Sequence, residues 1–168
     1  TAMLWGVALC VVLATLVAAA LLKSAPAAEP LEIEGYSWSA DQKKLLIFTN
    51  SQRVWRENTR GDFWVLDLGT RLLKKLGGPN AKPSTLQFAK FSPDGNRVGY
   101  VRENNIYVEN LFGDGKITKL TTDGSRYIIN GTFDWVYEEE LFCRDGFRWS
   151  PDSKQIAYWQ VNSEGGKE

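Results

Sequence analysis

Three consecutive carboxylates, those of Glu138, Glu139 and Glu140, end the heptad D-W-V-Y-E-E-E that begins at Asp134. Neighbouring like charges repel one another, so the run brings no obvious stability to a fold. Charge runs are usually solvated, so the ordinary interpretation is that these glutamates are exposed helix-forming residues on a surface turn. The alternative is that the carboxylates bind a positively charged group. The rest of the chain decides between the two.

The composition excludes several classes of function. The 168 residues include 20 basic and 20 acidic side chains, and no basic block indicates a nucleic-acid partner. An apolar content of 43% is sufficient for a buried core. The chain contains no His, so a Ser-His-Asp triad cannot form within these residues, and no G-x-S-x-G sequence is present. We predict no cofactor and no metal site.

Three related turn sequences divide the chain into repeats. They are Y-S-W-S-A-D from Tyr36, F-S-P-D-G from Phe91 and W-S-P-D-S from Trp149. Pro and Asp favour a type I turn, and Gly accepts the left-handed position that follows. Short strands between such turns, at about fifty residues per repeat, are typical of β-propeller blades. A sandwich with accidental turns of this sequence is the less favoured alternative.

The predicted fold is therefore all-β, a propeller of four-stranded blades. Two whole blades and the start of a third are present, about two and a half in all, so we expect the chain to be a fragment of a closed ring. The strands are predicted at 45–48, 63–66, 72–76, 98–101, 106–108, 117–120 and 156–159.

A short helical insertion is predicted near 134–142, in a segment that interrupts the blade pattern. Asp134 is placed to cap its first turn. On such a helix Glu139 and Glu140 are only about 100° apart, so both could face one cavity. For Glu138 we expect a supporting role.

The N-terminal segment is strongly apolar. Leu4–Leu22 carries no charge over nineteen residues, long enough to span a bilayer, and Ala25–Ala27 has the small-x-small form of a signal-peptidase site. Residues 1–28 are thus predicted to form a hydrophobic helix that is a signal peptide or a type II membrane anchor, and both predict an exported domain at 31–168, periplasmic or extracellular. Cys143 is the only thiol of that domain, so no disulfide can form within it.

The heptad that ends in the three glutamates and the repeated turns resemble sequences of the dipeptidyl peptidase IV family of serine peptidases. The resemblance covers Leu31–Glu168 and is strongest in N-G-T-F-D-W-V-Y-E-E-E-L-F and W-S-P-D-S-K-Q-I-A-Y. It implies that Glu139 and Glu140 bind the free amino terminus of a peptide substrate. It also implies that Arg56, in V-W-R-E-N-T-R-G-D-F-W-V-L-D-L, contacts the substrate's backbone carbonyl. The alternative for Arg56 is a surface ion pair with Glu57 or Asp62.

The resemblance implies a serine exopeptidase that releases X-Pro or X-Ala dipeptides when full length, with its hydrolase domain downstream of Glu168. This piece alone is then expected to be inactive. The expected partners are peptides with a free N-terminus and the missing hydrolase domain, with a homodimer and membrane anchoring left open. Two alternatives remain at this point: a non-catalytic propeller scaffold, and a prolyl tripeptidyl peptidase.

Overall fold

The computed structural model describes residues 30–166, so the predicted helix at residues 1–28 lies outside the described part. Within residues 30–166, antiparallel strands make up nearly all of the regular structure, accompanied by one helix of seven residues. No helix among these residues is long and apolar enough to cross a membrane. The all-β prediction is confirmed.

The first blade is a four-stranded antiparallel sheet in which each strand pairs with the next. Its strands are β1 (Gly35–Trp38), β2 (Lys44–Val54), β3 (Glu57–Asp67) and β4 (Leu73–Lys75). Strand β2 is buried on both faces where it begins: Leu45 and Ile47 pack in one cluster, and Leu46 in another. Burial on both faces explains why this segment is continuously apolar instead of alternating.

The second blade repeats this arrangement. Its strands are β5 (Leu86–Phe91), β6 (Arg97–Arg102), β7 (Asn105–Asn110) and β8 (Ile117–Lys119), again antiparallel in chain order. One core joins the two blades, because Leu46 and Val65 of the first cluster with Val98 and Tyr100 of the second. The sheets are also hydrogen-bonded to each other where Gly61 of β3 lies opposite Leu86 of β5.

The hairpin of β2 and β3 is longer than the sequence predicts. Each strand has eleven residues, and the pairing continues to Val54 opposite Glu57, with register shifts near Gln52. The outer part of both strands is polar and largely exposed, which is why apolar patterning did not reveal it. Trp55 and Arg56 form the tip of this hairpin.

The third unit is incomplete within the described residues. It contains β9 (Ile128–Asn130), α1 (Trp135–Leu141), β10 (Phe147–Trp149), β11 (Ile156–Tyr158) and β12 (Gln160–Asn162). Strands β10 and β11 pair with each other, and β12 pairs with β9. The sheets do not close into a ring, in agreement with two complete blades and part of a third.

The three predicted turns share one hydrogen-bond pattern. In each, the Ser hydroxyl donates to the Asp carboxylate two residues later at 2.6 Å: Ser39 to Asp41, Ser92 to Asp94 and Ser150 to Asp152. The same hydroxyl accepts a backbone N–H five residues downstream. The residue after each Asp has a positive φ, and Gly95 accommodates it without the strain that a side chain would add. The turns therefore fix the entry of each blade's second strand.

Candidate functional site

The helix α1 begins and ends at identifiable caps. Asp134 accepts a hydrogen bond from the Tyr137 N–H at 3.0 Å, which satisfies one of the free donors of the first turn. Phe142 adopts a left-handed conformation with a φ of 57° and ends the helix. The predicted helical insertion near 134–142 is therefore present, with the predicted N-cap at Asp134. Asp134 and Phe142 hold the carboxylates on a short element between β9 and β10.

The three glutamates have different surroundings. Glu138 is buried, the Glu139 side chain is 5% exposed, and Glu140 is exposed. Within residues 30–166, Glu140 makes no ion pair or side-chain hydrogen bond, whereas Glu138 and Glu139 each lie beside an Arg. The run is therefore not a uniformly solvated surface, and Glu140 presents a free carboxylate next to a buried one.

Arg56 contacts Glu139. The Arg56 Nε forms an ion pair with the Glu139 Oε2, and the Arg56 side chain is 74% exposed. The tip of the first blade's hairpin thus meets the helix of the third unit. The alternative partners considered for Arg56 are engaged elsewhere: Asp62 pairs with Lys75 at 3.0 Å, and Glu57 lies near Arg144.

Arg144 is a site residue that the sequence analysis did not identify. Its Nε lies 3.6 Å from the Glu138 Oε1, and its Nη2 lies 3.5 Å from the Glu57 Oε1. One guanidinium therefore lies between the helix and the start of β3. The available signal was its position two residues after the helix C-cap, where basic side chains often interact with a helix end.

Burial raises the pKa of the Glu138 carboxyl above its ordinary value, the nearby Arg144 guanidinium lowers it in part, and the Glu139 carboxylate raises it again. The site has four carboxylates, of Glu57, Glu138, Glu139 and Glu140, against the guanidinium groups of Arg56 and Arg144. Negative charge is thus in excess. Such a site can accept a cation with several N–H donors.

Metal binding has no support within the described residues, because no group of three or more His, Cys, Asp or Glu side chains among them is arranged around a common centre. Cys143 is a free and partly exposed thiol.

Comparisons with known proteins agree with this architecture. Residues 39–167 match the family model described as the dipeptidyl peptidase IV (DPP IV) N-terminal region. A probable dipeptidyl-aminopeptidase B of Colletotrichum graminicola is 37% identical over 128 residues, which are 76% of this chain and 14% of that protein. The dipeptidyl aminopeptidase B of Saccharomyces cerevisiae is 37% identical over 133 residues, which are 79% of this chain and 16% of that protein.

A solved structure of a dipeptidyl peptidase also matches this chain. The crystal structure of Porphyromonas gingivalis dipeptidyl peptidase 4 superposes with a TM-score of 0.73 and 30% identity, covering 83% of this chain and 19% of that one. The chain therefore spans only a small part of the length of the relatives it matches. The blades, the inserted helix and the family match together show that the chain belongs to the dipeptidyl peptidase IV family and is part of its N-terminal β-propeller.

Proposed function

We propose that this chain is the propeller portion of an exported serine exopeptidase that releases N-terminal dipeptides, and that Glu139 and Glu140 bind the free amino terminus of its substrate. One observation carries the proposal: the ion pair between Arg56 and the nearly buried Glu139, beside the exposed Glu140. A guanidinium and two carboxylates at one place provide donors for a peptide carbonyl and acceptors for a peptide ammonium.

The chemistry of the ligand fits these side chains. A peptide α-amino group has a pKa of about 7.7–8.0, so it is mostly protonated at neutral pH and offers three N–H donors. A hydrogen bond to a charged carboxylate contributes about 1.5–3 kcal/mol net. Arg56 is largely exposed and retains N–H groups besides its bonded Nε, which leaves donors for the first carbonyl of the peptide.

A fixed amino terminus selects the bond that is cleaved. If the ammonium is held at Glu139 and Glu140, only a peptide bond at a set distance reaches a nucleophile elsewhere in the protein. The chain has no His, so the triad that performs the cleavage must come from sequence outside these 168 residues. In this proposal the propeller measures the substrate, and a hydrolase domain cleaves it.

The location of the protein belongs to the same proposal. The uncharged segment Leu4–Leu22 would direct the chain out of the cytoplasm, either as a cleaved signal or as an anchor. The substrates would then be extracytoplasmic peptides with a free amino terminus and Pro or Ala as their second residue.

The test uses the full-length protein and an X-Pro chromogenic dipeptide. We expect Glu139→Gln and Glu140→Gln each to lower kcat/KM by about 10- to 100-fold, the equivalent of one lost charged hydrogen bond. Glu32→Gln, a change of the same type at an exposed residue, serves as the control and should leave kcat/KM unchanged. N-acetylation of the substrate should abolish cleavage by the wild type. Unchanged kcat/KM in both glutamate variants would remove the recognition role.

A further inference from the structure

We propose that Arg144 is a positioning residue that joins α1 to the β2–β3 hairpin. It thereby holds Arg56 and Glu139 where they can bind the amino-terminal part of the substrate. This inference rests on the function proposed above and adds a residue to that site. Arg144 itself would not contact the substrate. It acts through the two carboxylates between which it lies.

The contacts of Arg144 run beside the Arg56–Glu139 ion pair. Its guanidinium lies 3.6 Å from Glu138 and 3.5 Å from Glu57. Glu138 is the chain neighbour of Glu139, and Glu57 is the chain neighbour of Arg56. Each carboxylate held by Arg144 is therefore adjacent in sequence to one member of the pair, and the hairpin tip and the helix are connected twice.

Charge makes this second connection important. Glu138 is buried, and its Oε1 and the Arg144 Nε are both inaccessible and have no hydrogen-bond partner within residues 30–166. An isolated buried charge is strongly unfavourable, so each of the two depends on the opposite charge of the other. Without Arg144, Glu57 and Glu138 would lose the ion-pair partner that they have among residues 30–166, beside the Glu139 carboxylate that pairs with Arg56. We expect the hairpin tip and the helix then to separate.

The segment that carries Arg144 is itself fixed. The next residue, Asp145, forms an ion pair with Lys90 of β5, and the Lys90 ammonium also donates to the Phe147 carbonyl at 2.9 Å. The Gly146 N–H donates to the Gly131 carbonyl at 3.0 Å. Because its backbone is held against the second blade, Arg144 can set the position of the more exposed hairpin tip.

The principal experiment compares Arg144→Gln with Arg126→Gln in the full-length protein. Arg126 is an exposed control whose guanidinium lies over the Tyr127 ring. We expect Arg144→Gln to lower kcat/KM for a free-amino X-Pro substrate by at least tenfold, mainly through a higher KM, and Arg126→Gln to have no effect. Arg144→Lys should recover part of the loss, because an ammonium restores the charge without the planar fork.

A second measurement separates positioning from folding. The rate at which an organophosphonate labels the active-site serine does not require a bound amino terminus, so Arg144→Gln should label at the wild-type rate. Equal loss of labelling and of peptide cleavage would show a merely structural role and overturn the inference.

The exposed Glu57 gives a test that carries less risk of misfolding. If Arg144 acts on the hairpin through Glu57, Glu57→Gln should itself lower kcat/KM, and adding it to Arg144→Gln should cost less than the two separate effects combined. Full additivity, or wild-type kinetics for Arg144→Gln while Glu139→Gln is impaired, would refute the positioning role. If Glu139→Gln and Glu140→Gln are both unimpaired as well, the recognition role proposed above is wrong.

Discussion

Arg56 and Glu139 form an ion pair between the tip of the β2–β3 hairpin and the helix α1, two elements from different units of the propeller. The pair is asymmetric, since Arg56 is mostly exposed and the Glu139 side chain is nearly buried. The buried carboxylate thus has an exposed cation as its counter-ion. A substrate ammonium that approaches from solvent would find one carboxylate oriented by Arg56 and a second, that of Glu140, without a partner in the described residues.

Removing the Arg56 cation should impair substrate recognition. Arg56→Gln leaves the Glu139 carboxylate without its counter-ion, at a cost of about 1–3 kcal/mol. We expect kcat/KM for X-Pro substrates to fall by about 5- to 30-fold, which corresponds to the lower half of that range. Arg56→Lys should be intermediate, because Lys supplies a point charge without the guanidinium's fixed geometry. The exposed Arg71 provides the control, and equal kinetics for Arg56→Gln and Arg71→Gln would exclude a role for Arg56.

The N-cap of α1 should matter for activity because the helix has only seven residues. Asp134→Ala removes the side-chain acceptor of the Tyr137 N–H, a change that costs about 1 kcal/mol in helix stability. If that energy is lost from substrate binding, kcat/KM should fall by about fivefold.

Asp134→Asn is the matched control for the cap. Asn retains an oxygen acceptor at the same position, so it should stay close to wild type in kcat/KM. If the Ala and Asn variants lose activity equally, the cap is not the reason, and a direct role of the Asp134 charge would have to be considered.

The sequence predicts the local features of this fold well. The Ser-Asp turns and the helix N-cap depend on residues within a few positions of one another, so Ser92, Asp94 and Asp134 determine their surroundings by themselves. The continuous apolar segments at the start of β2 and in β6 likewise identify strands buried between blades.

The contacts that build the site are long-range and were harder to predict. The outer half of the β2–β3 hairpin is polar, so nothing in its pattern shows that it reaches α1. The resemblance placed Arg56 near the substrate, but its partner Glu139 and the position of Arg144 follow only from how the units pack. Arg144 lies outside the D-W-V-Y-E-E-E heptad and the Ser-Asp turns, and its role depends on two carboxylates far apart in sequence.

Glu138 should make stability depend on pH in a defined direction. Burial raises the pKa of its carboxyl in the folded protein, against the partial opposition of Arg144. The folded state therefore holds this proton more tightly than the unfolded state does. The stabilising contribution is fully present below the unfolded pKa of about 4.3, and it is lost as the pH rises through the folded pKa.

This dependence can be measured against Glu138→Gln, which does not titrate. As the pH falls from neutral towards the unfolded pKa of about 4.3, the thermal unfolding midpoint of the wild type should rise relative to that of the variant. The comparison uses the full-length protein. The informative quantity is how the difference between the two unfolding midpoints changes with pH. A change of opposite sign would mean that the ion pair with Arg144 outweighs the burial of the carboxylate.

Gly131 should not tolerate any side chain, because both its backbone conformation and the surrounding core oppose one. Comparison with Gly113 separates these two effects. It has a φ of +77°, and an added Cβ would lie 2.9 Å from the Ile106 Cγ1 and 3.0 Å from the Val101 Cγ2, both in the buried core. Gly113 has a φ of +71° with open space around it, so Gly113→Ala tests the backbone strain alone.

We expect that strain to cost about 1–2 kcal/mol in both variants, and overpacking to add about 1–3 kcal/mol in Gly131→Ala. The thermal unfolding midpoint of the full-length protein should therefore fall clearly further for Gly131→Ala than for Gly113→Ala. Equal decreases would mean that the core around Ile106 and Val101 can make room for a methyl group.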